Sequence, residues 1–192
     1  MKTATWAAAM MMAAAGPAAG AGHVIACVEM PPGDFARARM MTAAIFAAIG
    51  VNLEWRSPRR CPAEALRITL STSTPEETCP GAMAYAMPFE GTHIVVLMDR
   101  IEARVSRRRM TVLLAHVMAH EITHMLQGCD HHSDSGLMKA RWSSRDYDGM
   151  AWKPLPFTPN DVFLIRTGMA RWGGGLADGD SHSVAGLAAF PQ

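Results

Sequence analysis

The stretch from about Met110 to Gln127 constrains this chain most. It contains no proline or glycine, and it stops at Gly128. Such a run predicts one long helix, with the glycine supplying the left-handed residue that ends it. His120 and His124 stand four apart on that helix. At this spacing two side chains share one face, with Cβ atoms about 5–6 Å apart. Two imidazoles so placed can converge on one metal ion at roughly 2.0–2.1 Å. Five of the eight histidines fall between His116 and His132.

The rest of the chain reads as a frame for this helix. Its 192 residues suffice for one domain with a sizeable core. Hydrophobic residues make up 49% and charged residues 18%, a globular balance. A formal net charge of +1 gives no general pull toward nucleic acid or acidic membranes. Arginines cluster at Arg56, Arg59 and Arg60, and again at Arg104 and Arg107 to Arg109. Both clusters read as solvated faces.

Residues 1–21 read as an export signal. Lys2 gives a positive start, Trp6 to Ala15 is apolar, and Ala19-Gly20-Ala21 suits a signal peptidase. The apolar run is shorter than the roughly 20 residues a membrane helix needs. Residues 22–172 are then the folded domain and 173–192 a polar, glycine-rich tail. Export leads to the periplasm or the exterior, where Cys27, Cys61, Cys79 and Cys129 can form disulfides. Cys61 with Cys79 is the first choice, being close in sequence. A competing reading takes Val24–Cys27 as a lipobox, with Cys27 as a lipidated N-terminus.

Within the domain, Asp34 can cap a helix over residues 35–49. Phe35, Ala38, Met41, Ala44, Ile45, Ala48 and Ile49 form its apolar face, and Gly50 ends it. Val51–Trp55, Leu66–Leu70 and His93–Met98 read as strands, the last central because it is apolar throughout; Ala82–Met87 is a short edge strand. Residues 129–157 look irregular. Thr158-Pro159-Asn160-Asp161 then starts a helix running to about Arg171. This order predicts an α+β domain, a small mixed sheet packed on helices.

His120-Glu121-Ile122-Thr123-His124 has the H-E-x-x-H form of zinc hydrolases. Glu121 lies about 100° around the helix from His120, beside the ion rather than on it. There it can take a proton from a metal-activated water. Catalytic zinc uses three protein ligands and one open position. The helix cannot supply the third, so the chain must turn back at Gly128. Asp130, His131, His132 and Asp134 are the candidates; Cys129, right after the helix stop, reads as a disulfide partner or inert thiol. His116 reads as a second-layer partner or a buried histidine, Met118 and Met125 as core filling, and Trp142 as packing or a pocket wall.

Residues 120–138 resemble the metzincin signature, H-E-x-x-H-x-x-G-x-x-H followed by a Met-turn. The nearest form is matrixin-like, in which the third histidine is followed by Ser and soon by Met, as in His132-Ser133 and Gly136-Leu137-Met138. The resemblance implies a zincin fold, one catalytic Zn²⁺ held by His120, His124 and His132, Glu121 as general base, and Met138 as the Met-turn residue. It implies an exported peptidase acting on peptide or protein substrates, with substrate backbone paired to an edge strand such as Ala82–Met87. This chain departs from the pattern in three places. The glycine comes one residue late, the third histidine two residues late, and Ala140 stands where many metzincins carry a transition-state tyrosine. Strict counting from His120 would select Asp130, and counting from the glycine His131. The unfilled tyrosine position favours a rival reading, a zinc-containing binding module with little or no catalysis. A structural exported protein without metal is a third.

Overall fold

The computed structural model describes residues 22–28, 34–86 and 92–174. The expected signal, residues 1–21, and the tail beyond residue 174 lie outside them. Five strands and five helices follow in the order β1 (Gly22–Val28), α1 (Asp34–Ala47), β2 (Val51–Arg56), β3 (Leu66–Ser71), β4 (Ala84–Ala86), β5 (His93–Leu97), α2 (Met98–Arg104), α3 (Arg107–Gln127), α4 (Ser144–Met150) and α5 (Pro159–Gly174). The fold is mixed α+β. The sheet runs β2-β1-β3-β5-β4, parallel except for the antiparallel edge strand β4. No helix among the described residues is long and apolar enough to cross a membrane.

Alternation of side chains decides how the sheet is used. Val24, Ala26, Val51, Leu53, Leu66, Ile68, Ile94 and Val96 are buried in one core, while Asn52, Arg67, Thr69 and His93 are exposed. One face therefore packs on helices and the other meets solvent. β5 is an interior strand, as expected, but only one of its faces is buried. It is paired on both sides, but β3 is the middle strand, and Thr69 and His93 bond to each other at 2.8 Å on the open face.

α1 packs on α3 through most of the expected apolar face, with Phe35, Ala38, Met41, Ile45 and Ile49 in or against the core, but the buried face is shifted at two positions. Ala44 and Ala48 are exposed, whereas Thr42 and Phe46 join Ala38 and Ile45 in the core. The Thr42 hydroxyl contacts the carbonyl oxygens of Ala38 at 2.9 Å and, across the interface, Ala115 at 3.2 Å. A threonine is tolerated there because its polar atom is satisfied. At the other side of α3, α5 crosses closely at Gly168, where a Cβ would overlap the Leu126 carbonyl. α3 is thus held on both flanks, which fixes the helix that carries His120 and His124.

Three elements depart from the sequence reading. β1 contains the lipobox-like Val24–Cys27, and it pairs with both β2 and β3. α2 follows β5 with no turn residue between them. α4 sits inside the segment expected to be irregular, started by a reciprocal Ser143–Asp146 capping box.

The disulfide also differs. Cys27 bonds Cys61, with Cα atoms 5.9 Å apart, and Cys79 and Cys129 are free thiols. Parallel pairing explains it. Cys27 lies opposite Arg56 at the end of β2 and opposite Arg67 in β3, and Cys61 sits in the connection between those two strands. A Cys27 sulfur in a disulfide cannot carry a lipid thioether. The bridge closes a loop of 34 residues, so replacing both cysteines by alanine should lower unfolding free energy by about 3–4 kcal/mol. Denaturant titration of the double variant checks this. Peptide mapping should recover a 27–61 cross-link; a 61–79 cross-link would contradict it.

Candidate metal site

The site is assembled at the C-terminal end of α3. Gly128 takes φ 65° and its N–H donates to the His124 carbonyl at 2.9 Å, closing the helix. The chain then doubles back over residues 129–138. This brings His132 to the pair on α3, and ligand atoms of His120, His124 and His132 all lie within 4.8 Å of one another. Their Nε2 atoms converge, at 3.1 Å between His124 and His120 and 3.3 Å between His120 and His132. Tetrahedral Zn–N bonds of about 2.0–2.1 Å place neighbouring nitrogens about 3.3–3.4 Å apart.

The tautomers test whether an ion fits. His120 Nδ1 lies 3.0 Å from the Leu137 carbonyl oxygen, and His124 Nδ1 lies 3.3 Å from that of Cys129. A carbonyl only accepts, so each Nδ1 carries the proton and each Nε2 presents a lone pair. Burial lowers the pKa of His120 to about 4, assisted by the neighbouring His124, and lowers that of His124, assisted by His132. Both rings are therefore neutral near pH 7. Two lone pairs 3.1 Å apart with no proton between them repel, and a cation removes the repulsion. His120, His124 and His132 could hold a metal ion.

The loop bearing His132 is tied to the start of α5. Ser133 N–H donates to the Met138 carbonyl at 2.7 Å, and Leu137 N–H to the Pro156 carbonyl at 2.8 Å. Gly136 is required there, with φ 75° and a Cβ position that would overlap the Pro156 oxygen. Asp161, fully buried, carries the connection. One carboxylate oxygen accepts from Thr158 N–H at 2.7 Å in the α5 capping box, and the other accepts from the Ser133 hydroxyl at 2.7 Å. The sequence announces the first role through Thr158-Pro159-Asn160-Asp161. It gives no sign of the second, which links positions 28 apart.

The remaining candidates stand elsewhere. His131 Nε2 faces Asn160 at 3.2 Å and Ser133 at 3.4 Å, away from the three imidazoles. Asp130 lies 3.7 Å from His132 Nδ1, on the side opposite the converging nitrogens, and Asp134 is exposed. Neither these residues nor Cys129 joins the group. Both nitrogens of His116 are engaged, Nδ1 with the Val112 carbonyl at 2.7 Å and Nε2 as acceptor from Leu155 N–H at 3.1 Å. It is a satisfied buried histidine. Met138 is fully buried, one residue beyond the carbonyl that holds His120. That same Leu137 oxygen also accepts from Trp142 Nε1 at 3.2 Å, so Trp142 both supports His120 and walls the cavity.

A cavity of about 830 Å³ opens over the imidazoles. α3 supplies its floor, β4 and the segment before it one bank, and residues 139–142 with Tyr147 the other. Glu121 lines it. Burial pushes the Glu121 carboxyl up to about 8, and the negative charge of Asp130 adds to the shift. A cation at the adjacent nitrogens opposes that shift and favours the carboxylate. Both tyrosines of the chain, Tyr85 and Tyr147, line the same cavity.

Breaking the Asp161–Ser133 bond should loosen the loop that carries His132 and so be felt at the ion. Ser133→Ala and Asp161→Asn should each weaken Zn²⁺ binding, by less than the roughly 10–100-fold that follows loss of a group bonded directly to a ligand. Competition against a chromophoric chelator measures it; unchanged affinity in both variants would separate Asp161 from the site. Neither protein-family models nor curated proteins give a match to this chain.

Proposed function

We propose that this chain is an exported zinc-dependent peptidase of the metzincin type, with His120, His124 and His132 as ligands and Glu121 as general base. The observation that carries the reading is the convergence of three Nε2 atoms, at 3.1 and 3.3 Å, beside a carboxyl group that lines the same cavity. The His132-Ser133 pair and buried Met138 agree with the matrixin-like pattern. The Cys27–Cys61 disulfide agrees with export.

A Zn²⁺ held by the three imidazoles supplies Lewis acidity, which acidifies water and polarises a carbonyl. The protein's own groups do the rest. Glu121, beside the ligand set, takes the proton from attacking water and passes it to the departing amine. β4 pairs with β5 along one edge; its other edge, on the cavity bank, offers backbone groups to an extended peptide. Trp142 and Leu137 hold His120 in one orientation, so the site needs little reorganisation when substrate arrives.

A zinc-containing binding module is the second reading. It is favoured by Ala140 at the position of the usual tyrosine, and by the engagement of the Tyr147 hydroxyl with Arg104 at 3.1 Å. Peptide-library cleavage separates the two. Peptidase activity should vanish with chelator and return with one equivalent of Zn²⁺. Glu121→Gln should keep the metal and lower kcat/KM about 10²–10⁴-fold. Zinc binding without cleavage by the wild-type chain would favour the module, and wild-type rates in Glu121→Gln would remove Glu121 from the chemistry.

A further inference from the structure

The cavity reaches beyond the imidazoles. It passes Val117 on α3 and includes Trp142, Tyr147 and Arg104 in its lining. The cations around it are engaged differently. Arg100, one turn before Arg104 on α2, donates to the carbonyls of Cys79 at 2.7 Å and Ala82 at 2.8 Å, which fastens the segment ahead of β4. Lys139 pairs with Asp146 and Arg109 with Asp148; Arg141, also in the lining, has no carboxylate partner among the described residues, but no aromatic hydroxyl or ring orients it as Tyr147 orients Arg104. Arg104 has no carboxylate partner among the described residues. Its Nε donates to the Tyr147 hydroxyl at 3.1 Å, and its guanidinium lies 5.4 Å from the centre of that ring.

Arg104 is therefore oriented without being neutralised. Its Nη1 and Nη2 hydrogens remain for a ligand, and a guanidinium fork matches a carboxylate with two parallel hydrogen bonds. Two edge-on ring contacts connect it to the imidazoles, Tyr147 to Trp142 at 6.4 Å and Trp142 to His120 at 5.6 Å. The carboxylates lining the cavity, Glu121 and Asp130, belong to the imidazole end. Of the lining cations, Lys139 is neutralised by Asp146, so Arg104 and Arg141 are the ones that can draw a negative group.

We propose that Arg104 determines specificity in an anion subsite of this cavity, which receives the carboxylate of a peptide while the bond to be cleaved lies over the three imidazoles. This rests on the peptidase reading above. The carboxylate is a substrate Asp or Glu side chain or a free C-terminus. Extended chain advances ~3.3–3.6 Å per residue, so it lies within about five residues of the cleaved bond.

The test is a positional-scanning peptide library, in amidated and free-acid forms, offered to the zinc-loaded full chain. We expect kcat/KM to favour Asp or Glu over Asn or Gln about tenfold at one position, or free-acid over amidated peptides by a similar factor. The first pattern identifies a side chain and the second a C-terminus. The preference should collapse to about one in Arg104→Gln, survive in part in Arg104→Lys, and shift toward Lys or Arg in Arg104→Glu. Thermal melts establish that the variants are folded. Cleavage with no acidic preference, or a preference that survives in Arg104→Gln, overturns the subsite and leaves the peptidase standing. If the wild type cleaves nothing, the peptidase reading fails, and calorimetric binding of acidic against amidated neutral peptides decides the subsite alone. Tighter acidic binding lost in Arg104→Gln sustains it; equal binding overturns it.

Discussion

Two backbone carbonyls fix the character of this molecule. Leu137 and Cys129 accept the Nδ1 protons of His120 and His124, and so turn both Nε2 lone pairs inward on one point. A bare pair of neutral imidazoles does not hold that arrangement by its own attraction, because lone pair faces lone pair. The fold enforces it. α3 is clamped by α1 through Thr42 and by α5 through the close approach at Gly168. The doubled-back loop is tied to Pro156 and Asp161. The core thus brings together three imidazole nitrogens that could hold a metal ion.

The site is also economical in its supports. One carbonyl, Leu137, serves His120 and Trp142. One carboxylate, Asp161, starts a helix and steadies the loop that carries His132. Such shared partners couple elements far apart in sequence, so a change at α5 is felt at the imidazoles. Trp142 and Tyr147 extend the same coupling toward the far wall of the cavity, where Arg104 stands.

What could be read from sequence was what is local. The spacing of His120 and His124, the stop at Gly128, the capping signal at Thr158–Asp161 and the short strand at Ala84–Ala86 each lie within one turn or one strand. His132 was one of several nearby candidates on residue chemistry, and only the resemblance at Ser133 and Met138 singled it out. Long-range partners were not legible. Ser133 with Asp161 and His116 with Leu155 depend on tertiary packing. The choice of Cys61 with Cys79 followed sequence proximity, whereas parallel strand register brings Cys27 to Cys61. β1 was obscured because it follows an apolar run and its Val24–Cys27 resembles a lipobox. α4 did carry a local signal, Ser143 three residues before Asp146, but seven residues are too few for helical periodicity to stand out.

X-ray absorption at the zinc edge on the loaded protein addresses the coordination set directly. Three imidazole nitrogens and one further light atom at about 2.0–2.1 Å are expected, falling to two imidazoles in His132→Ala. A shell containing sulfur at about 2.3 Å, or an unchanged imidazole count in His132→Ala, would contradict the three-histidine site.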